Sequence, residues 1–363
     1  MKFTKSFMMI FLIFIFSLYL ESHIVGQQKR AGEDREEYLM REWKKLLKDY
    51  PVPKNAIELE LKFSFPSKDL IDQEIYLYGA RHISCDLIGN IYVSDSRAKR
   101  ILKFDPSGNF LLQFGRQGQG PGEFNYGPFG IMATKNFLII NESGRVQVFD
   151  ENGNYMKSFK IYKTYREMVA DNDDLIFAAP VIRGDKSRLI DVLSHDGKLL
   201  YSFGKPMEFK YDWSQLNHVK LALNKRGELF LAFEYFPIVR KYSRKGIMLD
   251  EFRLNHDFMK TKEKINYDKI ALRARGRRVG YAIVINAVRA TDERFYILHT
   301  YPRIEILEFD KSGKLKADFW KAQKVRAYYA ADFIVSYKGN ENIFYVLPFS
   351  PENRIDVFGQ KHK

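Results

Sequence analysis

The chain is 363 residues long, 45% hydrophobic and 29% charged, with 59 Lys and Arg against 45 Asp and Glu for a formal net charge of +14. Its one cysteine, Cys85, excludes an internal disulfide even in an oxidising compartment. The basic balance points to an acidic partner or to a broadly solvated cationic surface, and it carries no information about the fold.

At the N-terminus, Lys2 and Lys5 precede a largely apolar stretch from Phe7 to Leu20. It is short for a membrane span and suited to the core of a secretory signal. Residues 1–26 are expected to direct export and to be cut before Gln27, with Ser22 as the alternative, which leaves a mature chain of charge +13 in the periplasm or outside the cell. If the segment is retained it becomes an inner-membrane anchor, the one route by which this chain meets a membrane. Residues 27–55 are charged and carry Tyr38, Leu39, Trp43, Leu46 and Leu47 at helical intervals, so a short amphipathic helix is expected outside the main domain, ended by Pro51 and Pro53.

Residues 56–363 read as one repeat domain. Ile57–Phe65 (IELELKFSF) alternates like a strand. Residues 89–115, GNIYVSDSRAKRILKFDPSGNFLLQFG, read as three strands joined by two turns, the second being Asp105-Pro106-Ser107-Gly108. The unit recurs from Phe137, Leu175, Leu229 and Phe295, each with a turn glycine before its last strand: Gly153, Gly197, Gly246 and Gly313. The steps from Gly108 onward are 45, 44, 49 and 67 residues, the last lengthened by an insertion at 254–279. A period in the forties with Ile, Val, Phe and Tyr enrichment and no helical stripe matches one four-stranded β-propeller blade. Stretches beginning at Arg81, Gly130 and His218 supply first strands.

A sixth unit starts at Tyr328 and stops after RIDVFGQ, one strand short. Strand 57–65 is free to complete it. The expected fold is all-β: a six-bladed propeller of four-stranded antiparallel blades, the last closed by the N-terminal strand, which removes the exposed sheet edges.

These residues resemble NHL-repeat propellers of the exported bacterial type. The first unit has G-N-I-Y-V-x-D, R-I-x-x-F-D and G-x-F-L-x-x-F-G, and GRQGQGPGEFNYGPFGI from Gly115 is similar to the family's blade connector. Arg100, Arg145 and Arg354 stand at the family's arginine position. Arg188 is one place out, and blades four and five have Ile238 and Glu305 there. The resemblance implies structural roles for Asp95 with Arg100, for Glu142 with Arg145, for Arg354, and for the turn glycines Gly108 and Gly153. Turn acids Asp105, Asp150 and Asp310 suit capping of their own backbone amides. The family spans adhesion, sensing and RNA-binding modules and a metal-dependent lyase acting on peptide ends, while other six-bladed propellers are lactonases, so fold does not name function.

Catalytic signatures are sparse. His82 and His218 fall in or beside first strands, and aligning those strands sets Lys220 opposite His82, with His218 displaced along the strand by about 7 Å at ~3.3 Å per residue, too far for shared ligation. The other first strands offer Gly130, Met168, Asn286 and Tyr329 in place of a third histidine. Asp86, Asp171 and Asp332 lie near first strands with no pairing legible. No G-x-S-x-G elbow and no nucleotide loop is present.

The insertion, 254–279, is basic: Lys260, Lys262, Lys264, Lys269, Arg273, Arg275, Arg277 and Arg278 stand against three acids, and Ile265, Ile270 and Leu272 suit a helical apolar side. It is expected near the channel mouth as an arm for an acidic partner. The function expected is a monomeric binding or scaffolding module for a protein or an anionic glycan, with no cofactor, no metal and no nucleic acid. The alternative is a channel-centred, metal-dependent hydrolase or lyase, lactonase-like or peptide-amidating-lyase-like, and calcium or zinc enters only there, with His82, Lys220 and His218 as channel residues.

Overall fold

The computed structural model describes residues 48, 50–182, 186–300, 303–321, 329–339, 341–349 and 354–361. The expected export segment and nearly all of the charged linker lie outside the described residues.

Each repeat folds as a meander. Strands Ala80–Cys85, Ile91–Asp95, Arg100–Phe104 and Phe110–Phe114 form the first four-stranded antiparallel sheet, and three more sheets follow over 130–160, 165–203 and 219–253. The middle strands are largely buried because both of their faces are covered. Every residue of Ile91–Asp95 is buried, whereas the outermost strand Phe110–Phe114 alternates between half-buried and exposed.

The remaining eight strands hydrogen-bond into one sheet. One half is Ala287–Ala290, Arg294–His299, Ile304–Asp310 and Leu315–Lys321; the other is Tyr329–Lys338, Glu341–Phe349, Ile355–Gln360 and the N-terminal strand Ile57–Phe65. Strand pairing joins the halves where Ile57 and Glu58 run parallel to Phe319 and Trp320. The first strands of the four separate sheets and of these two halves make a closed ring of neighbours, Tyr329–Lys338 touching both Ala287–Ala290 and Ala80–Cys85. That ring has six first strands, one from each separate sheet and one from each half of the eight-stranded sheet.

Closure follows the expected route. The N-terminal strand runs antiparallel to Ile355–Gln360, with Leu59 opposite Gln360, Leu61 opposite Phe358 and Phe65 opposite Ile355, around a bulge between Leu61 and Phe63. A second feature marks this strand as the fourth of its blade. Gly108, at φ +83°, turns the first blade's outer hairpin, and a Cβ there would fall 2.9 Å from the Phe65 side chain. Gly153, at φ +79°, bears the same relation to Phe114 at 2.5 Å. Gly197, Gly246 and Gly313 pack in turn on Phe159, Phe203 and Phe252. Each turn glycine therefore receives an outer-strand phenylalanine of the preceding blade, and Phe65 fills that role across the seam.

The core lies between sheets. The cluster at the seam combines Phe65, Ile83, Val93 and Phe104 with Tyr345, Ile355 and Val357. The Phe65 ring sits 5.0 Å from Phe104 and 6.4 Å from Tyr345.

The insertion is a helix, Asp257–Ala274, between the fourth and fifth blades. Its inward stripe is not the aliphatic one that the sequence suggests. The buried residues are Phe258, Met259, Lys262, Glu263 and Asn266. Of Ile265, Ile270 and Leu272, only Ile270 packs against a core cluster. Polar bonds hold the rest of the stripe to the ring, because the loops beneath it present carbonyls. Among the described residues no helix is long and apolar enough to cross a membrane.

Candidate functional site

In every blade the first and third strands begin at the same end of the sheet, so the connectors between blades and the hairpins between second and third strands share one face. This connector face carries a clamp that the first two blades share, whereas Arg188 of the third is exposed and donates to Ser187 O. In the first blade the fully buried Asp95 accepts the amides of Tyr78 (2.9 Å) and Gly79 (2.7 Å), while Arg100 donates to Tyr76 O at 2.7 Å and lies 3.7 Å from Asp95. In the second, Glu142 accepts from the amides of Asn125 (2.8 Å) and Tyr126 (3.2 Å), and Arg145 bridges Glu142 to the carbonyls of Gln119 and Glu123. Each carboxylate and arginine thus fasten the incoming connector as well as each other.

Blades four and five keep an arginine near the start of the third strand that pairs with a carboxylate and donates to backbone carbonyls, out of register and with other partners. Arg240, two residues after Ile238, donates to Lys205 O and pairs with Glu251 at 2.6 Å. Arg303, two before Glu305, pairs with it at 2.5 Å and donates to Tyr50 O at 2.6 Å and Pro51 O at 3.2 Å. Arg354 bonds Asp356 at 2.7 Å, and Asp356 also accepts from Ser64 of the N-terminal strand. Arg240 and Arg303 escape a search by position; the signal that finds them is an arginine near the start of a third strand at any register.

The first strands carry a belt of ionisable groups. His82, Gly130, Glu167 and Lys220 each face the fourth residue of the neighbouring second strand and so share one level. Glu167 holds this place instead of Met168 because a bulge follows Tyr165; similar bulges precede His82 and Asp332. Asp332, not Tyr329, joins the belt from the sixth blade. It lies 3.3 Å from His82 Nε2, accepts the Ile83 amide at 3.1 Å and bonds Arg289 of the fifth blade, which replaces Asn286 as that blade's contribution. Lys220 lies 3.5 Å from Glu167, and the carboxylates of Glu167, Glu234 and Asp332 together raise its pKa.

His218 pairs with a different carboxylate, Glu234, at 3.6 Å. Burial pushes the Glu234 carboxyl up, but His218 and Lys220 outweigh it and leave the group below its ordinary range. The two histidines share no partner, and His82 Nδ1 and His218 Nε2 are buried without a hydrogen-bond acceptor or donor among the described residues. Among those residues no three His, Cys, Asp or Glu side chains are grouped to hold a metal ion.

The basic residues of the insertion separate into two groups. Lys262 is buried, donates to Ile283 O at 3.1 Å, and is pushed down to about 7 by burial, against the pull of Glu305 and with the push of Lys269. Burial also lowers Lys269, and Arg273 is tied to Asp212 at 3.1 Å. Asn266, wholly buried, spans Tyr235 O and Ala282. These side chains anchor the helix. Lys264, Arg275, Arg277 and Arg278 are exposed at its surface and C-terminal end.

Two cavities open on the same face. The larger, about 460 Å³, is walled by Tyr162, Lys163, Thr164, Lys186, Arg188 and Ser202 around the buried Asp191, which bonds Lys163 at 2.7 Å, Tyr165 at 3.0 Å and Ser202 at 2.6 Å. The smaller, about 200 Å³, lies in the second blade among Gln119, Asn125, Tyr126, Glu142 and Arg145.

A family model described as a 6-bladed beta-propeller, DUF5128, matches residues 79–140, the first blade, its connector and the start of the second. No curated protein matches the chain by sequence. Among solved structures the chain is similar to a member of the duf4221 family from Bacteroides vulgatus, at 11% identity over 85% of this chain and 99% of the other, with a TM-score of 0.57. It is also similar to a Bacteroides fragilis protein inferred to be exported (12%, 86% and 97%, TM-score 0.53) and to a catalytically inactive virginiamycin B lyase from Staphylococcus aureus with quinupristin (9%, 83% and 99%, TM-score 0.50). At these identities the likeness establishes a β-propeller and nothing finer.

Proposed function

We propose that this propeller, of NHL type by its first-blade motif, is an exported, monomeric binding module that takes an anionic partner on its connector face. The observation that carries the reading is the insertion helix. It is fixed to the ring by Asn266, Lys262, the Arg253–Glu263 pair at 2.6 Å and the Arg273–Asp212 pair, and it ends in three exposed arginines, Arg275, Arg277 and Arg278. A rigid mount lowers the ordering cost of binding, and clustered guanidinium groups suit carboxylate, sulfate or phosphate. The test is titration of the full chain with inorganic polyphosphate at two salt concentrations. Charge reversal of the three arginines to Glu is expected to weaken binding at least tenfold and to flatten its salt dependence; unchanged affinity would refute the reading.

A second reading, a channel-centred lyase or hydrolase, draws support from the His82–Asp332 and His218–Glu234 pairs, which have the chemistry of general acid–base catalysis. It requires metal-binding groups to converge in the channel, and elemental analysis of the purified chain for calcium and zinc separates the two readings.

A further inference from the structure

The first three connectors share a property that the other described connectors lack. Each presents an exposed tyrosine just before its blade's first strand: Tyr78 two residues before Ala80, Tyr126 four before Gly130, and Tyr162 three before Tyr165. Tyr162 is 94% exposed, and Tyr78 and Tyr126 are more than half exposed. In the connectors to blades four and five this position is taken by the short helix Trp213–Leu216 and by the insertion helix and its return.

Two of the three rings stand on backbone fixed by side chains. The Tyr78 and Tyr126 amides are the ones held by Asp95 and Glu142, and Lys99 Nζ donates to Tyr126 O at 2.7 Å. Large aromatic rings left exposed on three successive connectors of one face mark a contact surface. Cations accompany them. Arg97 lies over the Tyr78 ring at 5.8 Å and beside Arg81, whose charge burial and Arg97 both disfavour. Arg188 and Lys163 flank the cavity that Tyr162 borders, and Arg145 lines the one that Tyr126 borders.

The cavity linings narrow the chemistry. Hydroxyls or amides line each, Thr164, Ser187 and Ser202 beside Lys163, Lys186 and Arg188 in one and Gln119, Asn125 and Ser143 in the other, while the buried carboxylates Asp191 and Glu142 are held by Lys163 and Arg145. Hydroxyl-rich ligands can exchange hydrogen bonds with such side chains. Sugar rings present flat C–H faces that stack on tyrosine, and acidic substituents suit the flanking arginines.

We infer that the connectors of blades one to three form an arc of subsites for an anionic polysaccharide, with sugar faces on Tyr78, Tyr126 and Tyr162 and acidic groups toward Arg97 and Arg188. This rests on the reading of the connector face as a binding face, and it specifies a part of that face separate from the insertion arm.

The experiment is calorimetric titration of the full chain with polygalacturonate, inorganic polyphosphate and poly(dT), with melting curves as a check on folding. Replacing the three tyrosines by Ala is expected to weaken polygalacturonate binding by roughly tenfold or more, replacing them by Phe to leave it within about threefold, and neither to change polyphosphate binding more than about twofold. Equal losses for both polymers, an unaffected Ala variant, a Phe variant as weak as the Ala variant, or poly(dT) bound as tightly as polygalacturonate would each overturn the inference. If the wild type binds no polyanion, the broader function falls with it. If reversal of Arg275, Arg277 and Arg278 alone abolishes binding of every polymer and the tyrosine variants behave as wild type, only the arc falls.

Discussion

Lys262 offers a sharp test of how the insertion helix is held. Its ammonium is buried beneath the helix, donates to Ile283 O, and faces Glu305 as an attracting charge and Lys269 as a repelling one. Its pKa falls from 10.5 to about 7. The unfolded chain keeps the ordinary value, so between pH 7 and 10.5 the unfolded state binds the extra proton and stability must rise with pH. Below pH 7 both states are protonated, and the penalty of the buried charge is complete, about 5 kcal/mol for a shift of this size. From pH 7 to pH 9 the folded protein should recover about 2 kcal/mol of it. Lys262→Met removes that dependence and leaves Ile283 O unsatisfied, at a cost of about 1–3 kcal/mol, so at pH 7 the variant should be more stable than the wild type by about 1–3 kcal/mol. Urea midpoints at pH 7 and pH 9 decide the matter: the advantage of the variant should shrink by about 2 kcal/mol at the higher pH. Parallel pH dependence in the two proteins, or a variant weaker than wild type by several kcal/mol at both pH values, would refute the account of a buried, reluctantly charged lysine.

Two further substitutions probe the ring. Phe65→Ala empties the seam contact with Gly108, Phe104 and Tyr345, and should cost about 3–5 kcal/mol in equilibrium unfolding, with amide exchange accelerated in strand Ile355–Gln360 ahead of the other blades. Glu142→Gln keeps the shape of the clamp and removes the charge facing Arg145; a loss of roughly 3 kcal/mol is expected, together with faster exchange of the Asn125 and Tyr126 amides that Glu142 now accepts.

The blades were legible because their information is local. Turn glycines before the fourth strand, apolar runs in the second and third and alternation in the fourth follow from how far each strand lies from solvent, and these patterns survive where motif letters decay. Closure was legible for a topological reason: a sixth unit one strand short and an unassigned strand at the other end have one way to satisfy each other's backbone groups. The insertion shows the limit. Its inward stripe contains Lys262, Glu263 and Asn266, and no periodicity argument places a lysine and an asparagine inward in preference to Ile265 and Leu272, since the deciding partners, Tyr235 O, Ala282 and Ile283 O, belong to loops far from the helix in the chain.

The connector face was less legible than the blades because its residues are selected by reach. The arginine clamp illustrates this. Fastening a connector needs a guanidinium close enough to meet carbonyls that have no sheet partner, and a side chain of that length can satisfy them from more than one place on the third strand. Arg100 and Arg145 do so from the first residue of that strand and Arg240 from the third, all three donating to connector carbonyls, while Arg303, just before its strand, donates to Tyr50 and Pro51 ahead of the N-terminal strand. A motif written as a fixed column therefore records two of four. First-strand bulges have the opposite effect, moving Glu167 and Asp332 into the ionisable belt where a straight alignment places Met168 and Tyr329. The strands keep their register from the pleat and the core, while side chains on the face keep theirs only from the bonds they make. For that reason the tyrosine arc has no motif of its own: Tyr78 and Tyr126 stand out only once Asp95 and Glu142 show which connector residues are held fast and left in the open.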